Sequence, residues 1–432
     1  MQIQENDNLL LQLPSGMMRI IEVRQGIINL GKFGTFSSLD LIGHTIGQSF
    51  EIQAEGTLLP IESLTSNLST EHYLTESSAD NRGLSLNGNV QKMSLEEIES
   101  MKRQSGGNEI AKEIINKMVS NHESFDKKTV YSQEKYLTRK HKKFLRRFTV
   151  NKVTPESLVD FLYQEKEPIK ILGLSVESLG LMMSMANVMP GGDYLVVDET
   201  GGLIVFAMLE RMGGKGTITL IHENDQPTLH LLRHTSWNEK SDLLDEILLS
   251  VNVAQFLHPG TERPEFSELT EAEITKLPEV KQTQYKRKLK RHLLSLKAID
   301  HVLESSFDSL VYVSTLNPSS FVPEIIPRLA GSSPIVVYSQ YKEVLVNLNH
   351  ILLQDKRILL PNIHQTVVRK YQTEVGKIHP LMTSRGPGGY LLNGIRVFPM
   401  DHVEAGGRYN KKRKAESETP VPTMISIDET QS

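Results

Sequence analysis

Four short runs of apolar and branched residues, Tyr194-Leu-Val-Val-Asp198, Thr217-Ile-Thr-Leu-Ile221, Ser309-Leu-Val-Tyr-Val-Ser314 and Pro334-Ile-Val-Val-Tyr-Ser339, set the narrowest limits on how this chain folds. Each is too short for a buried helix, holds few polar residues inside, and is bounded by Gly or polar positions. That is the pattern of a strand covered on both faces. Helical periodicity fills the intervals, over 203–212, 226–234, 241–251, 271–304 and 341–353. Strand and helix in succession predict an α/β, doubly wound, Rossmann-like parallel sheet with crossover helices, finished by a terminal hairpin over 389–398.

The rest of the chain reads differently. Short alternating β-branched stretches between Gly-containing turns over 17–53 predict a small antiparallel β-sheet or β-barrel, placed at 1–62. Residues 63–107 are rich in Ser, Asn, Glu and Gly, too poor in large apolar side chains to build a core, and read as a linker. Helical spacing returns at Ile110, Ile114, Ile115 and Met118 and again over 132–148, so 63–150 is expected to hold a polar linker and basic connecting helices. Thr154 is the expected N-cap of the next helix, with Pro155 at its first position. The Rossmann-like domain is assigned to 151–404, and 405–432 to a disordered tail. The 432 residues contain no cysteine, which excludes disulfides and thiolate metal sites and points to a reducing compartment. The amino terminus lacks the pattern of a secretory signal, and the apolar run over 171–188 is interrupted by Glu177, serines and Asn187, so no membrane partner is expected.

After the first strand of such a sheet, a cofactor lies against bare backbone, which demands small residues. The turn here is Asp198, Glu199, Thr200, Gly201, Gly202, Leu203, Ile204. The spaced Gly-x-Gly-x-Gly pattern is absent, and Leu203 and Ile204 stand where small residues are needed, so the loop is read as degenerate and no cofactor is expected. Two adjacent glycines also suit a tight strand-to-helix turn that binds nothing. Glu223 stands where a ribose-binding acid would sit, although an acid after a strand is common. Past the Ser309 strand, Ser314, Thr315 and Asn317 are poor proton acceptors, and no carboxylate follows. His230 and His234 have no completing carboxylate motif, so no metal is expected either.

Net charge is only −4, but the cations are clustered. Lys135, Arg139, Lys140, Lys142, Lys143, Arg146 and Arg147 are interleaved with Tyr136, Phe144 and Phe148, a mixture suited to phosphate contacts with stacking. A second cluster holds Lys286, Arg287 and Lys290, with Lys281 nearby, opposite an apolar stripe of Leu289, Leu293, Leu296 and Leu303. There an RNA contact and a solvated helix face both stay open. A third, Lys411, Lys412, Arg413 and Lys414, lies in the tail and is readable by an import receptor, which predicts the nucleus.

Ser132-Gln-Glu-Lys-Tyr136 with the basic run, Asp198 to Ile204 leading into Ala207-Met-Leu-Glu-Arg-Met-Gly-Gly214, and Gly388-Gly-Tyr-Leu-Leu392 together resemble the non-catalytic subunit family of the eukaryotic tRNA adenine-N1 methyltransferase. That family acts with a catalytic sister chain on the adenine at position 58 of the T-loop. The resemblance implies a small β domain before a methyltransferase-like domain, a heterotetramer of two catalytic and two non-catalytic subunits, S-adenosylmethionine held by the sister chain, and tRNA gripped jointly. A self-sufficient S-adenosylmethionine-dependent RNA methyltransferase, or an RNA-binding scaffold in translation initiation, are the competing expectations.

Overall fold

The computed structural model describes residues 1–53, 55–64, 94–103, 107–122, 125–126, 128–165, 167–373 and 375–400. The amino-terminal part contains β1 (Asn8–Gln12), β2 (Met18–Glu22), β3 (Ile27–Asn29), β4 (Thr35–Ser37), β5 (Ser49–Ile52) and β6 (Leu58–Ile61), then α1 (Leu95–Arg103), α2 (Gly107–Ser120), α3 (Val130–Phe144) and β7 (Arg147–Lys152). The first sheet runs β2-β1-β7-β5-β6, all antiparallel. Among the described residues β2 and β6 do not pair, so the expected barrel is an open sheet, accompanied by the separate β3–β4 hairpin.

The central strand of that sheet comes from the end of the basic run, which corrects the expected boundaries at 62 and 150. Phe148 is fully buried and stacks on Phe36 with ring centroids 4.8 Å apart and on Phe50 at 5.6 Å. Without β7 the alternating apolar face of β1 and β5 would lack its middle strand, and burial of large aromatics dominates small cores. The expected linker is also shorter than its composition suggests. Helix α1 lies inside it, and Ile98 and Met101 join Ile114, Ile115, Met118, Leu137 and Phe144 in a small helical core. Within that stretch 65–93 and 104–106, and also the tail with Lys411 to Lys414, lie outside the described residues.

The second part contains α4 (Pro155–Gln164), α5 (Val176–Met185), β8 (Asp193–Asp198), α6 (Leu203–Met212), β9 (Thr217–His222), α7 (Ser241–Ile247), β10 (Leu248–Asn252), α8 (Val253–Leu257), α9 (Glu271–Lys276), α10 (Glu279–Glu304), β11 (Ser309–Val313), α11 (Pro318–Ile325), β12 (Pro334–Ser339), α12 (Lys342–Gln354), β13 (Ile358–Gln365), β14 (Tyr371–Gln372), β15 (His379–Pro380) and β16 (Tyr390–Arg396). Its sheet runs β10-β9-β8-β11-β12-β16-β13, with β8 to β12 parallel and β16 antiparallel to both neighbours. Alternation sorts the side chains. Tyr194, Val196, Val311 and Val336 face one core, and Leu195, Val197, Leu310 and Tyr312 face the other. Thr154 caps α4 through its hydroxyl and Pro155 opens it, as expected.

Four expectations fail for reasons of context. Residues 241–251 are not one helix: Leu248 to Asn252 leave it to pair in parallel with β9, because an edge strand there buries Leu249 and Val251. Of 226–234 only a 3₁₀ turn at His230–His234 forms. The stretch 271–304 breaks at Leu277-Pro278, since a residue before proline is driven out of helical geometry. Residues 389–398 are not a hairpin: Tyr390–Arg396 form one strand, which pairs antiparallel with β12 and β13. The run Pro168–Met185 is apolar enough for a membrane span, but a left-handed break at Leu172 (φ 51°) leaves only the ten-residue α5. At 1.5 Å per residue that is about half of what a bilayer core requires.

Candidate functional site

Strand order reverses between β8 and β11, because the chain builds outward from β8 through β9 to β10 and then returns to β11 on the other side. In open α/β sheets the crevice at the carboxyl ends of the two strands flanking such a reversal is where ligands settle. Here it is bridged. The Glu199 N–H donates to the Val313 carbonyl at 2.9 Å. The Glu199 carboxylate in turn accepts the Thr315 N–H and hydroxyl, both at 2.7 Å. A carboxylate therefore does stand beyond β11, supplied by the neighbouring strand and committed to holding the loop. Ser314 accepts the Leu316 N–H and Asn317 caps α11 by accepting the Ser319 N–H, so these residues shape the loop.

The glycine turn is closed as well. Gly201 and Gly202 have φ of 76° and 93°, a left-handed region that side chains disfavour. A Cβ at Gly201 would come within 3.0 Å of both ring nitrogens of His230, and one at Gly202 within 3.1 Å of the Leu229 side chain and 3.2 Å of its backbone. The Leu231 N–H donates to the Gly201 carbonyl at 3.1 Å, fixing this segment across the turn. S-adenosylmethionine needs the glycine backbone bare, and these residues do not fit it. The physical cause differs from the sequence expectation: Leu203 and Ile204 are fully buried in the core, and the crowding comes from His230 and Leu229.

Asp198 completes the closure. Its carboxylate accepts the Thr200 N–H at 2.7 Å, the Thr200 hydroxyl at 2.5 Å, and the Ile204 and Val205 N–H groups at 3.1 and 3.2 Å. The Ile204 and Val205 N–H groups in the first turn of α6, which would otherwise greet an anion, are thereby satisfied within the chain. Burial pushes the Asp198 carboxyl up from its ordinary range, opposed by the hydrogen bonds from Thr200, Val205 and Ile204, which favour the charged form. Glu223 is exposed beyond β9. Among the described residues no group of three or more His, Asp or Glu side chains could hold a metal.

The basic run contrasts with this. Thr129 caps α3, whose buried face is Gln133, Leu137, His141 and Phe144. Spacing of three and four residues then forces Lys135, Arg139, Lys142 and Lys143 to the exposed side. Tyr136, Lys140 and Arg146 are half-buried. Three expected contacts are corrected. Arg147 is 2% exposed, with its guanidinium on Glu51 at 2.8 and 3.0 Å and on the Leu64 carbonyl at 3.1 Å, so it is not presented to phosphate. Phe144 and Phe148 belong to the helical core and the first-sheet core, and neither offers a face for stacking.

Two cations join this face that local sequence did not single out. Lys128 stands over the Tyr136 ring, 5.1 Å from its centroid, as does Lys140 at 4.9 Å. Lys377, between β14 and β15, lies 4.0 Å from the Tyr131 ring, which Lys135 also approaches at 5.8 Å. Lys128 could have been read as an extension of the run; nothing local announces Lys377.

On α10, Lys286, Arg287 and Lys281 are exposed, but Lys290 is held by Asp245 of α7 at 2.5 Å. The expected apolar stripe is also corrected: Leu293 and Leu303 are about half exposed, and the buried residues are Ala298, Ile299 and Val302.

Two sequence motifs prove architectural. Glu210 accepts Trp237 Nε1 at 2.9 Å and the Lys152 ammonium at 2.7 Å, tying α6 to β7, the central strand of the first sheet. Gly214 lies against the Trp237 ring. Gly388 packs on Ser175 and accepts the Ser178 hydroxyl through its carbonyl at 3.1 Å, leaving no room for a side chain.

Residues 2–283 match the model of a family described as the Gcd10p family. The tRNA (adenine(58)-N(1))-methyltransferase non-catalytic subunit of Debaryomyces hansenii is 41% identical over 98% of this chain and 93% of its own length. The protein of the same description from Schizosaccharomyces pombe is 31% identical over 96% of each. Among solved structures, a SAM-dependent O-methyltransferase from Thermotoga maritima aligns over 93% of this chain and 97% of its own, with a TM-score of 0.50 and 8% identity, a likeness of fold alone.

Proposed function

The chain belongs to the Gcd10p family, and on that premise we propose that it is the non-catalytic, tRNA-gripping subunit of a tRNA adenine-N1 methyltransferase that forms 1-methyladenosine in the T-loop. The observation that carries this reading is the closed turn after β8, where His230 and Leu229 lie against the glycines and Asp198 takes up the free N–H groups of α6. Methyl transfer and cofactor binding then fall to a catalytic sister chain. This chain supplies the exposed cations of α3, Lys135, Arg139, Lys142 and Lys143, supported by half-buried Lys140 and Arg146, to the backbone of the tRNA. Lys286 and Arg287 of α10 are a secondary surface. A pair of each subunit forms the working heterotetramer, and Lys411, Lys412, Arg413 and Lys414 direct entry to the nucleus.

Titrating the purified chain with S-adenosylmethionine in a calorimeter should give no micromolar binding. Methylation of tRNA should require co-expression with the partner and fail with either subunit alone. Saturable micromolar binding by this chain, or transfer without the partner, would overturn the reading in favour of a self-sufficient enzyme.

A further inference from the structure

Tyr136 sits at the centre of a cluster of two ammonium groups and an imidazole. Lys128 and Lys140 each place an ammonium about 5 Å from its ring centroid. His122 meets the same ring edge-on, with centroids 4.9 Å apart. Lys128 Nζ lies 2.9 Å from His122 Nε2. An ammonium has only protons to give, so Nε2 must accept, and the imidazole is neutral with its proton on Nδ1. That Nδ1–H is buried and makes no hydrogen bond outside its own residue. Neither Lys128 nor Lys140 pairs with a carboxylate among the described residues. Burial pushes both ammonium groups down from their ordinary range, and Lys140 is pushed further by Lys143 and Lys128.

We propose that Lys128 and Lys140, arranged with His122 around the Tyr136 ring, bind a backbone phosphate of the RNA, His122 holding the Lys128 ammonium in place. The proposal rests on the tRNA-gripping reading and deepens it by naming a half-buried anion site at its centre. Half-buried cations without a counter-ion are costly in the free chain, and an arriving phosphodiester relieves that cost. The occupant is a polyanion because the charge continues past the cluster. Arg139 and Lys143 are exposed on the same helix within one turn of Lys140, so successive phosphates find successive cations.

The test uses the complex assembled with its catalytic partner, with tRNA affinity measured from about 50 to about 200 mM salt. Lys128→Met and Lys140→Met keep the aliphatic stem over the ring and remove the charge. Each should weaken binding several-fold and lower the slope of log affinity against log salt by about one. The thermal midpoint of each variant chain should be unchanged or higher, because like charges have been separated. A lower midpoint with unchanged affinity would make the cluster structural and overturn the proposal. Loss of partner co-purification with unchanged tRNA affinity would overturn it too, by assigning the site to a partner carboxylate. Arg139→Ala separates the two levels. If it weakens tRNA binding while the two Met variants do not, the phosphate site fails and the wider reading stands. If none of the three weakens binding, the wider reading fails with it.

Discussion

The turn after β8 and the outer face of α3 are opposite solutions to the same problem of where polar groups find partners. At the turn, the Asp198 carboxylate receives four donors, Glu199 receives two more, and His230 and Leu229 cover the glycines. On α3, exposed cations crowd together, and beside Tyr136 the buried His122 Nδ1 has no hydrogen-bond partner among the described residues. A site satisfied from within has nothing left to offer a ligand, whereas an unsatisfied one is complete only when a ligand arrives.

The sharpest way to probe that contrast is the pair Arg147 and Arg139, eight residues apart in one basic run. Arg147→Ala removes the buried guanidinium that holds the half-buried Glu51 carboxylate and should cost about 3 kcal/mol in urea unfolding. A loss below about 1 kcal/mol would mean that the ion pair does not hold the first sheet together. Next in size is Gly201→Ala, which forces a side chain into left-handed geometry and against His230. It should destabilise the chain by about 3 kcal/mol. If Gly201→Ala is instead neutral, the segment from Leu229 to Leu232 does not lie on the turn, and the closed state of the crevice is wrong. Smallest is Lys290→Ala. Its ammonium already has Asp245, so the salt dependence of tRNA binding should stay as it is, unlike that of Arg139→Ala. A drop in slope equal to that of Arg139→Ala would put α10 on the same footing as α3.

Much of the fold was legible because its signals are local. The four apolar runs became β8, β9, β11 and β12, and Thr154 with Pro155 opened α4. The Leu248 strand was hidden because its residues extend a helical period, and only pairing with β9 decides between the two. The candidate site was half legible. The sequence marked the turn as unsuited to a cofactor but attributed this to Leu203 and Ile204, whereas the crowding comes from a segment more than twenty residues further on.

Composition and periodicity, which act between near neighbours, determined the alternating α/β order, the basic character of 132–148 and the family resemblance. Tertiary contact alone decided that Phe148 and Arg147 turn inward with β7, that Lys377 comes to Tyr131, and that His230 covers Gly201. The reason is physical: whether a cation faces solvent or a carboxylate depends on which distant strand lies beside it, and strand pairing is fixed by burial summed over the whole sheet rather than by any short stretch of residues.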